Sequence, residues 1–222
     1  MKQKNQSKLM WILGVVIIAF VILAFGTAAI VQPYRVDRYF KPTVFIHILL
    51  SMSWLFLFVY QSRLIIKGKI EKHRKNALLG MLLVPLILIE AIYITYEWGD
   101  PRRLIGESRD VLVFAILFFI SIWAAKKGKL QTHKRLLLIA ALNLIAPAIT
   151  RVSFVFDWSR PTGILISILI WIFVPIFYDL LSIRKIHKAT IFGIIFTILS
   201  FVLMIAFILS PLMKTIESIM PK

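Results

Sequence analysis

The sequence predicts an all-α membrane protein with seven transmembrane helices, forming a single helical-bundle domain over residues 1–222. The chain is 60% hydrophobic with a mean hydropathy of +0.88, whereas soluble domains are roughly 45–50% apolar. Its apolar runs reach the roughly 20 residues that a helix needs to cross the hydrocarbon. The runs are continuous rather than alternating, which favours helices over the strands of a membrane barrel.

The predicted spans follow one another with little chain between them. The longest connections, near residues 63–75 and 97–109, are about a dozen residues, too short to form a soluble domain. The first run follows Lys2, Lys4 and Lys8, but it exceeds the roughly 7–15 residues of a signal-peptide core and is kept as a helix. By apolar length the spans are about 9–31, 43–66, 76–97, 108–126, 133–150, 162–183 and 189–210.

Proline and charge shape the predicted bundle. Pro85, Pro147 and Pro175 lie inside spans and are expected to bend them. Alternate connections carry 17 of the 27 Lys and Arg residues on one face and 10 on the other. Acidic loop residues show the opposite bias, with only Glu71 on the more basic face. Short basic loops stay in the cytoplasm, so we expect a cytoplasmic N-terminus, an external C-terminus, and three helix hairpins after one leading helix.

The formal charge of +17 has two readings. Binding to nucleic acid needs a basic groove with interleaved aromatic residues, and the charges here are scattered over short loops. Contact with anionic lipids explains them better, and other membrane proteins or a second copy are further partners to expect. The chain has no cysteine, which excludes disulfides, thiolate metal sites and thiol nucleophiles. The predicted location is a bacterial inner membrane.

Two basic loops repeat one motif without a gap. Residues 67–75 read KGKIEKHRK and residues 127–135 read KGKLQTHKR, with a shorter version, RKIHK, at 184–188. The repeat indicates a duplicated hairpin. Gly68 and Gly128 are placed to end the preceding helices, where glycine adopts a positive φ at little cost.

The repeat puts His73 and His133 at the starts of spans 3 and 5. Two neutral imidazoles on neighbouring helices can ligate one b-type haem from opposite sides, with the surrounding Lys and Arg residues pairing with its propionates. The alternatives are contact with lipid or phosphate, and plain residence in the headgroup layer. A metal site is less well supported because neither loop offers a second ligand at close spacing.

Polar residues inside the spans suggest a second site. His47 and Gln61 lie on one face of span 2, and both should face the bundle interior because lipid cannot satisfy them. A carboxyl group within a span, such as Glu90, is a functional hypothesis by default. Counting residues from the outer ends puts His47 roughly 6 Å and Glu90 roughly 10 Å deep, with Asn143 at a similar level. We therefore expect a cluster of His47, Glu90 and Asn143, and the alternative is a hydrogen-bond network that only locks the bundle.

Two further expectations concern charged residues near the span ends. Arg151, Asp157 and the turn 98–100 are expected to cover the cluster of His47, Glu90 and Asn143. Asp179 lies about one turn inside span 6 and is expected to pair with Arg184 or Lys185.

The pattern His47, Trp54, Gln61, Leu64, Gly68, His73–Arg74 and Leu79–Gly80 resembles uncharacterised small bacterial multi-pass membrane proteins with a His-Arg loop motif. Such proteins are in turn similar to b-type cytochromes and respiratory-oxidase assembly proteins. The resemblance covers residues 43–80 and implies a role in redox or cofactor handling. A two-haem cytochrome needs histidine pairs on both sides, and the outer side offers only His47.

Three functions follow as hypotheses, and none includes a known catalytic motif. The first is redox or cofactor handling with one b-haem, and the second is a proton-coupled small-molecule transporter that uses His47, Glu90 and Asn143. The third is a membrane assembly or scaffold protein without chemistry of its own. Hydrolysis and nucleotide binding are not expected, because GxSxG, HExxH, GxGxxG and phosphate-loop motifs do not occur.

Overall fold

The computed structural model describes residues 2–32, 41–97 and 99–219, and within these ranges the secondary structure is helical with no strand. Pro residues open several helices at the position where a missing N–H costs nothing, and Asp100 and Ser159 cap two of them. The helices are α1 Lys2–Val31, α2 Pro42–Ile66, α3 Ile70–Glu97, α4 Pro101–Lys126, α5 Leu130–Asn143, α6 Ala146–Val155, α7 Arg160–Ile183, α8 Lys188–Ile208 and α9 Pro211–Ile219.

The predicted fold class is confirmed. Seven helical segments of the described chain are long and apolar enough to cross a bilayer, and the chain is a multi-pass membrane protein. Each predicted span falls on one of them, and most of the helices extend a few residues further into the polar ends. The sequence did not indicate α9, a short helix after the last span. The spans are Asn5–Val31, Pro42–Ile66, Ile70–Glu97, Pro101–Lys126, Leu130–Val155, Pro161–Ile183 and Lys188–Ile208.

Polar contacts at the helix ends show which ends of the helices lie on the same side of the bundle. The Gln6 side chain at the start of α1 accepts hydrogen bonds from Gln131 and Lys134 in the second repeated loop. We call this side, which carries both repeated loops and the 184–187 turn, the basic face. At the other end, which we call the opposite face, Arg102 bonds to Glu217 of α9.

The two repeated loops have the same backbone. Gly68 and Gly128 have φ values of 72° and 71°, so the prediction that they end the preceding helices is confirmed. In each loop the glycine N–H bonds three residues back, and the following lysine N–H bonds five residues back, which is the Schellman arrangement. The loops therefore match at an offset of 60 residues, because the same short sequence makes the same turn.

The α4–α5 hairpin occupies the middle of the bundle. The spans of this hairpin are the most buried of the seven, with α2 and α3 on one side and α7 and α8 on the other. The ring of Trp54 packs edge-on against Phe114 at 4.8 Å between centroids, and these residues also stand 60 positions apart. The repeated hairpins therefore pack on each other through equivalent residues.

The fifth span is broken. Helix α5 ends at Asn143 and α6 begins at Ala146, since Pro147 in the first turn of α6 lacks the N–H that would continue the hydrogen-bond ladder. Pro85 and Pro175, also expected to bend their spans, lie within helices that run on without interruption. The break leaves backbone carbonyls near the end of α5 available to other donors.

Candidate functional site

A histidine–glutamate pair joins the two helices of the first hairpin. His47 Nδ1 on α2 lies 2.6 Å from Glu90 Oε2 on α3, and the side chains are 32% and 13% exposed. Toward the opposite face, Thr43 Oγ1 donates to Glu97 Oε2 at 3.1 Å. The two residues that counting of depth put at a similar level are thus in direct hydrogen-bonding contact.

Two polar atoms near this pair are unused. Glu90 Oε1 and Ser51 Oγ are both buried and have no hydrogen-bond partner among the described residues. Ser51 lies one helical turn from His47 on α2. Buried polar atoms are nearly always bonded in folded proteins. Glu90 Oε1 is therefore available to accept a hydrogen bond from a water molecule or a ligand, and the Ser51 hydroxyl is available to donate one.

The structure corrects the prediction that Asn143 belongs to this pair. Asn143 is fully buried, and its amide nitrogen donates to the Ile139 carbonyl at 2.9 Å and to Thr197 Oγ1 at 3.4 Å. Its amide oxygen lies 3.5 Å from Arg109 Nη1. Equal depth does not make two residues neighbours, because α5 packs against α4, α7 and α8.

Arg109 is the centre of this second polar group. It is 7% exposed, and its Nε and Nη2 donate to Ser200 Oγ at 3.1 and 2.8 Å. The guanidinium also bonds to the Asp110 carboxylate and to the Thr197 carbonyl. Each nitrogen of the cation therefore has a partner, and the group ties α4 to α5 and α8.

Trp171 covers this cation and also contacts the broken helix. The guanidinium carbon of Arg109 lies 4.9 Å from the centroid of the Trp171 ring, within range of a cation–π contact. The indole N–H donates to the Leu142 carbonyl at 3.2 Å, near the break between α5 and α6. The break is therefore stabilised by a side chain from α7.

Of the residues expected to cover the His47–Glu90 pair, Arg151 and Asp100 have other contacts. The guanidinium of Arg151 donates to a carbonyl one turn earlier in α6 and lies 4.8 Å from the Phe25 ring of α1. Asp100 caps α4 by accepting two backbone N–H groups, and Asp157 follows α6 with a φ of 50°. Trp98, also predicted there, lies outside the described residues.

The expectation for Asp179 was wrong. Its partner is Arg135, with Nε 2.6 Å from Asp179 Oδ1 and both side chains 0% exposed. Arg184 and Lys185, the residues expected to pair with it, are exposed. The sequence places Arg135 in a basic loop, and only the packing of α5 against α7 and α8 buries it.

Further hydrogen bonds hold this buried pair. Asp179 Oδ2 accepts from the His187 backbone N–H at 2.7 Å and from Thr190 Oγ1 at 2.6 Å. Arg135 Nη1 donates to the backbone and side-chain oxygens of Gln131 at 2.9 and 2.6 Å. Three helices are thus joined close to the basic face.

A pocket of about 450 Å³ opens at the basic face beside this pair. Gln131 and His187, which bond to the ion pair, are part of its wall. Two lysines, two glutamines and one histidine supply its polar lining, and the full set is Gln6, Leu130, Gln131, Lys134, Ile183, Lys185 and His187.

The two repeated histidines lie near the same face. His133 Nδ1 lies 3.1 Å from the Ser121 carbonyl, while His73 Nδ1 is buried without a partner in the described part of the chain. Gln61 donates to the His73 carbonyl at 3.1 Å, so it belongs here and not with His47. Among the described residues no group of three His, Cys, Asp or Glu side chains forms a metal site.

Sequence reasoning missed both buried arginines. Arg135 is equivalent to Lys75 in the repeat, and Lys75 forms an exposed pair with Glu71, at 78% and 88% exposure. The useful sequence signal was Asp179, an acid inside a span that needs a cation. In the structure that cation comes from the second copy of the loop, against which the third hairpin packs. Arg109 falls at the predicted edge of span 4, where an interfacial position explained it equally well.

No protein-family model, curated protein or solved structure matches the chain. The resemblance of residues 43–80 to uncharacterised bacterial membrane proteins therefore stays a prediction.

Proposed function

We propose that this membrane protein is a proton-coupled carrier of a small solute and that the His47–Glu90 pair is its proton site. The observation that carries the proposal is the 2.6 Å contact between two titratable groups within spans. Ionisable residues at membrane depth are costly, and they are commonly found in proton and solute paths. Neutral side chains could hold α2 to α3 at lower cost.

The chemistry of the pair suits coupling. In its neutral state one proton lies between His47 Nδ1 and Glu90 Oε2. A second proton converts the pair into a net cation and removes the charge attraction between α2 and α3. A solute that binds one of these two states more tightly is coupled to proton movement by the difference between its two affinities.

The broken fifth span supports the same proposal. Interrupted helices line the solute sites of many carriers, because their free backbone groups face a cavity and not lipid. Here the break at Leu144–Ile145 lies next to the buried Arg109 and Asn143.

The test is solute-driven proton flux in proteoliposomes loaded with a pH-sensitive dye. Sugars, amino acids, carboxylates and phosphoesters are added one class at a time. We expect one class to change the internal pH, and Glu90→Gln to abolish that change. Glu97→Gln is the matched control, because Glu97 sits on the same helix but is exposed and bonds only to Thr43 among the described residues.

Two results would count against the carrier. One is equal flux in wild type and Glu90→Gln, which would separate transport from the pair. The other is the absence of flux for every class in a folded preparation, which would favour the third hypothesis, a scaffold without chemistry of its own.

A second candidate is one b-type haem on His73 and His133. The specific observation is the contact between His133 Nδ1 and the Ser121 carbonyl, since a histidine whose Nδ1 donates to a carbonyl presents Nε2 for iron. The bound haem would supply one-electron chemistry. The Lys and Arg residues of the repeated loops would pair with its propionates.

A reduced-minus-oxidised visible spectrum decides this second candidate. After expression with added haem, we expect a Soret and α-band pair that both His73→Ala and His133→Ala abolish and that His187→Ala leaves in place. A flat spectrum at full protein load would exclude the haem.

The basic face is proposed to lie in the cytoplasm of a bacterial cell, in contact with anionic lipids. The charge asymmetry of the loops supports this orientation. Because the chain has no cysteine, single substitutions report the topology without background. An impermeant maleimide added to intact cells should label Lys214→Cys and leave Lys69→Cys unlabelled, and the reverse pattern would invert the orientation.

A further inference from the structure

The pocket at the basic face has positively charged side chains and no negatively charged ones among its described lining residues. Its lining includes Lys134 and Lys185 and, among the described residues, no Asp or Glu. The nearest carboxylate in the contact network, Asp179, is neutralised by Arg135. A ligand entering the pocket therefore meets an excess of positive charge, so it should be an anion.

Two buried donors that lack a partner among the described residues belong to the contact network of the pocket wall. Arg135 Nη2 and the Tyr178 hydroxyl are buried and have no hydrogen-bond partner in the described chain, and both residues are 1% exposed. Arg135 bonds through Nη1 to Gln131, which lines the pocket. Arg135 therefore fixes the position of Gln131, one of the side chains that a ligand in the pocket would meet.

One lysine of the pocket is held by a neutral group. Lys134 Nζ donates to Gln6 Oε1 at 3.0 Å, and the same oxygen accepts from Gln131 Nε2 at 3.1 Å. No carboxylate competes for Lys134 within the described residues that line the pocket. An incoming anion can therefore replace the amide oxygen of Gln6 and form a stronger, charge-assisted hydrogen bond.

We propose that this pocket is a binding site for a phosphate group, presented from the basic face on a phosphomonoester. Two ammonium groups and two side-chain amides surround one space, which suits a tetrahedral anion with several acceptor oxygens. The volume of about 450 Å³ also accommodates an organic group, and Leu130 and Ile183 give it an apolar wall. The proposal goes beyond the carrier function and stands without it.

A phosphomonoester can come from a lipid headgroup or from a soluble metabolite, and the test separates them. The soluble probe is glycerol 3-phosphate, with glycerol as its neutral control, titrated calorimetrically into detergent-purified protein. The lipid probe is phosphatidic acid in nanodiscs, compared with phosphatidylcholine and detected by protection of the protein from heat. Saturable binding of either charged probe with no response to its control is the expected result.

Variants tie the binding to the pocket. Lys134→Gln and Lys185→Gln should each weaken binding about tenfold, because each removes a charge-assisted hydrogen bond. Arg74→Gln is the matched control, since Arg74 occupies the position of Lys134 in the first loop and is exposed, and it should change affinity less than about twofold. Lys185 is itself exposed, so its variant tests the site even if Lys134→Gln fails to fold.

Three results would overturn the proposal. Wild-type protein could bind neither charged probe, the neutral controls could bind equally well, or Arg74→Gln could weaken binding as much as Lys185→Gln. The last result would reduce the effect to the general positive charge of the basic face. Loss of proton-coupled flux with retained phosphate binding would remove the carrier function and leave this site intact.

Discussion

Replacing Asp179 by Asn isolates the charge of the buried ion pair. The amide has the same shape and keeps an oxygen that can accept from the His187 backbone N–H and from Thr190 Oγ1, at 2.7 and 2.6 Å in the native protein. It removes the negative charge that lies 2.6 Å from Arg135 Nε. The variant therefore leaves a cation with a 0% exposed side chain and no counter-charge.

The magnitude follows from the burial of Arg135. Removing one partner of a fully buried pair costs about 3–5 kcal/mol, because the remaining charge is neither solvated nor compensated. We expect the free energy of unfolding of Asp179→Asn to fall by that amount. Arg135→Met combined with Asp179→Asn removes the buried cation as well, so the double variant should lose less than Asp179→Asn alone, about 1–2 kcal/mol.

Reversible unfolding in SDS-containing mixed micelles, followed by circular dichroism, measures these differences. Glu71→Gln is the matched control, since Glu71 pairs with Lys75 in the first loop and is 88% exposed, and it should leave stability unchanged. A loss below about 1 kcal/mol in Asp179→Asn, or a double variant less stable than Asp179→Asn, would show that the pair does not hold the bundle.

Three further predictions use the same unfolding measurement. Gly193→Leu should lose about 1–3 kcal/mol, because a Cβ at this position would lie 2.5 Å from an isoleucine methyl of α5; an unchanged value would mean that α8 can move away freely. Trp171→Phe should lose about 1–3 kcal/mol by leaving a carbonyl at the helix break unsatisfied, and a neutral result would indicate that water replaces the indole. Burial and the charge of Arg135 hold the pKa of His187 below its ordinary value of 6.5, and its neutral ring accepts the Ala189 N–H. Its stabilisation should therefore be present above pH 6.5 and be lost as the pH falls toward the lower native pKa, whereas His187→Asn should lack this pH dependence.

Part of the candidate site could be predicted from residue spacing. Counting from the span ends gave similar depths for His47 and Glu90, and the short loop between α2 and α3 made them neighbours, which the structure shows as a 2.6 Å contact. Asn143 has a comparable depth but belongs to a central helix that faces Arg109 and Thr197. Residue spacing gives the depth of a side chain along the helix axis, but it does not show which neighbouring helix that side chain faces.

The sequence by itself determined the seven spans, the alternation of their connections and the geometry of the two repeated loops. These depend on local properties: the length of an apolar run against the bilayer thickness, and the positive φ that Gly68 and Gly128 adopt. Only the tertiary structure decided which charges are buried together. Arg135 and its repeat counterpart Lys75 have nearly the same local sequence, yet one is buried against Asp179 and the other is exposed. The difference arises because the third hairpin packs against one copy of the loop and not the other, and no local pattern records which helices become neighbours.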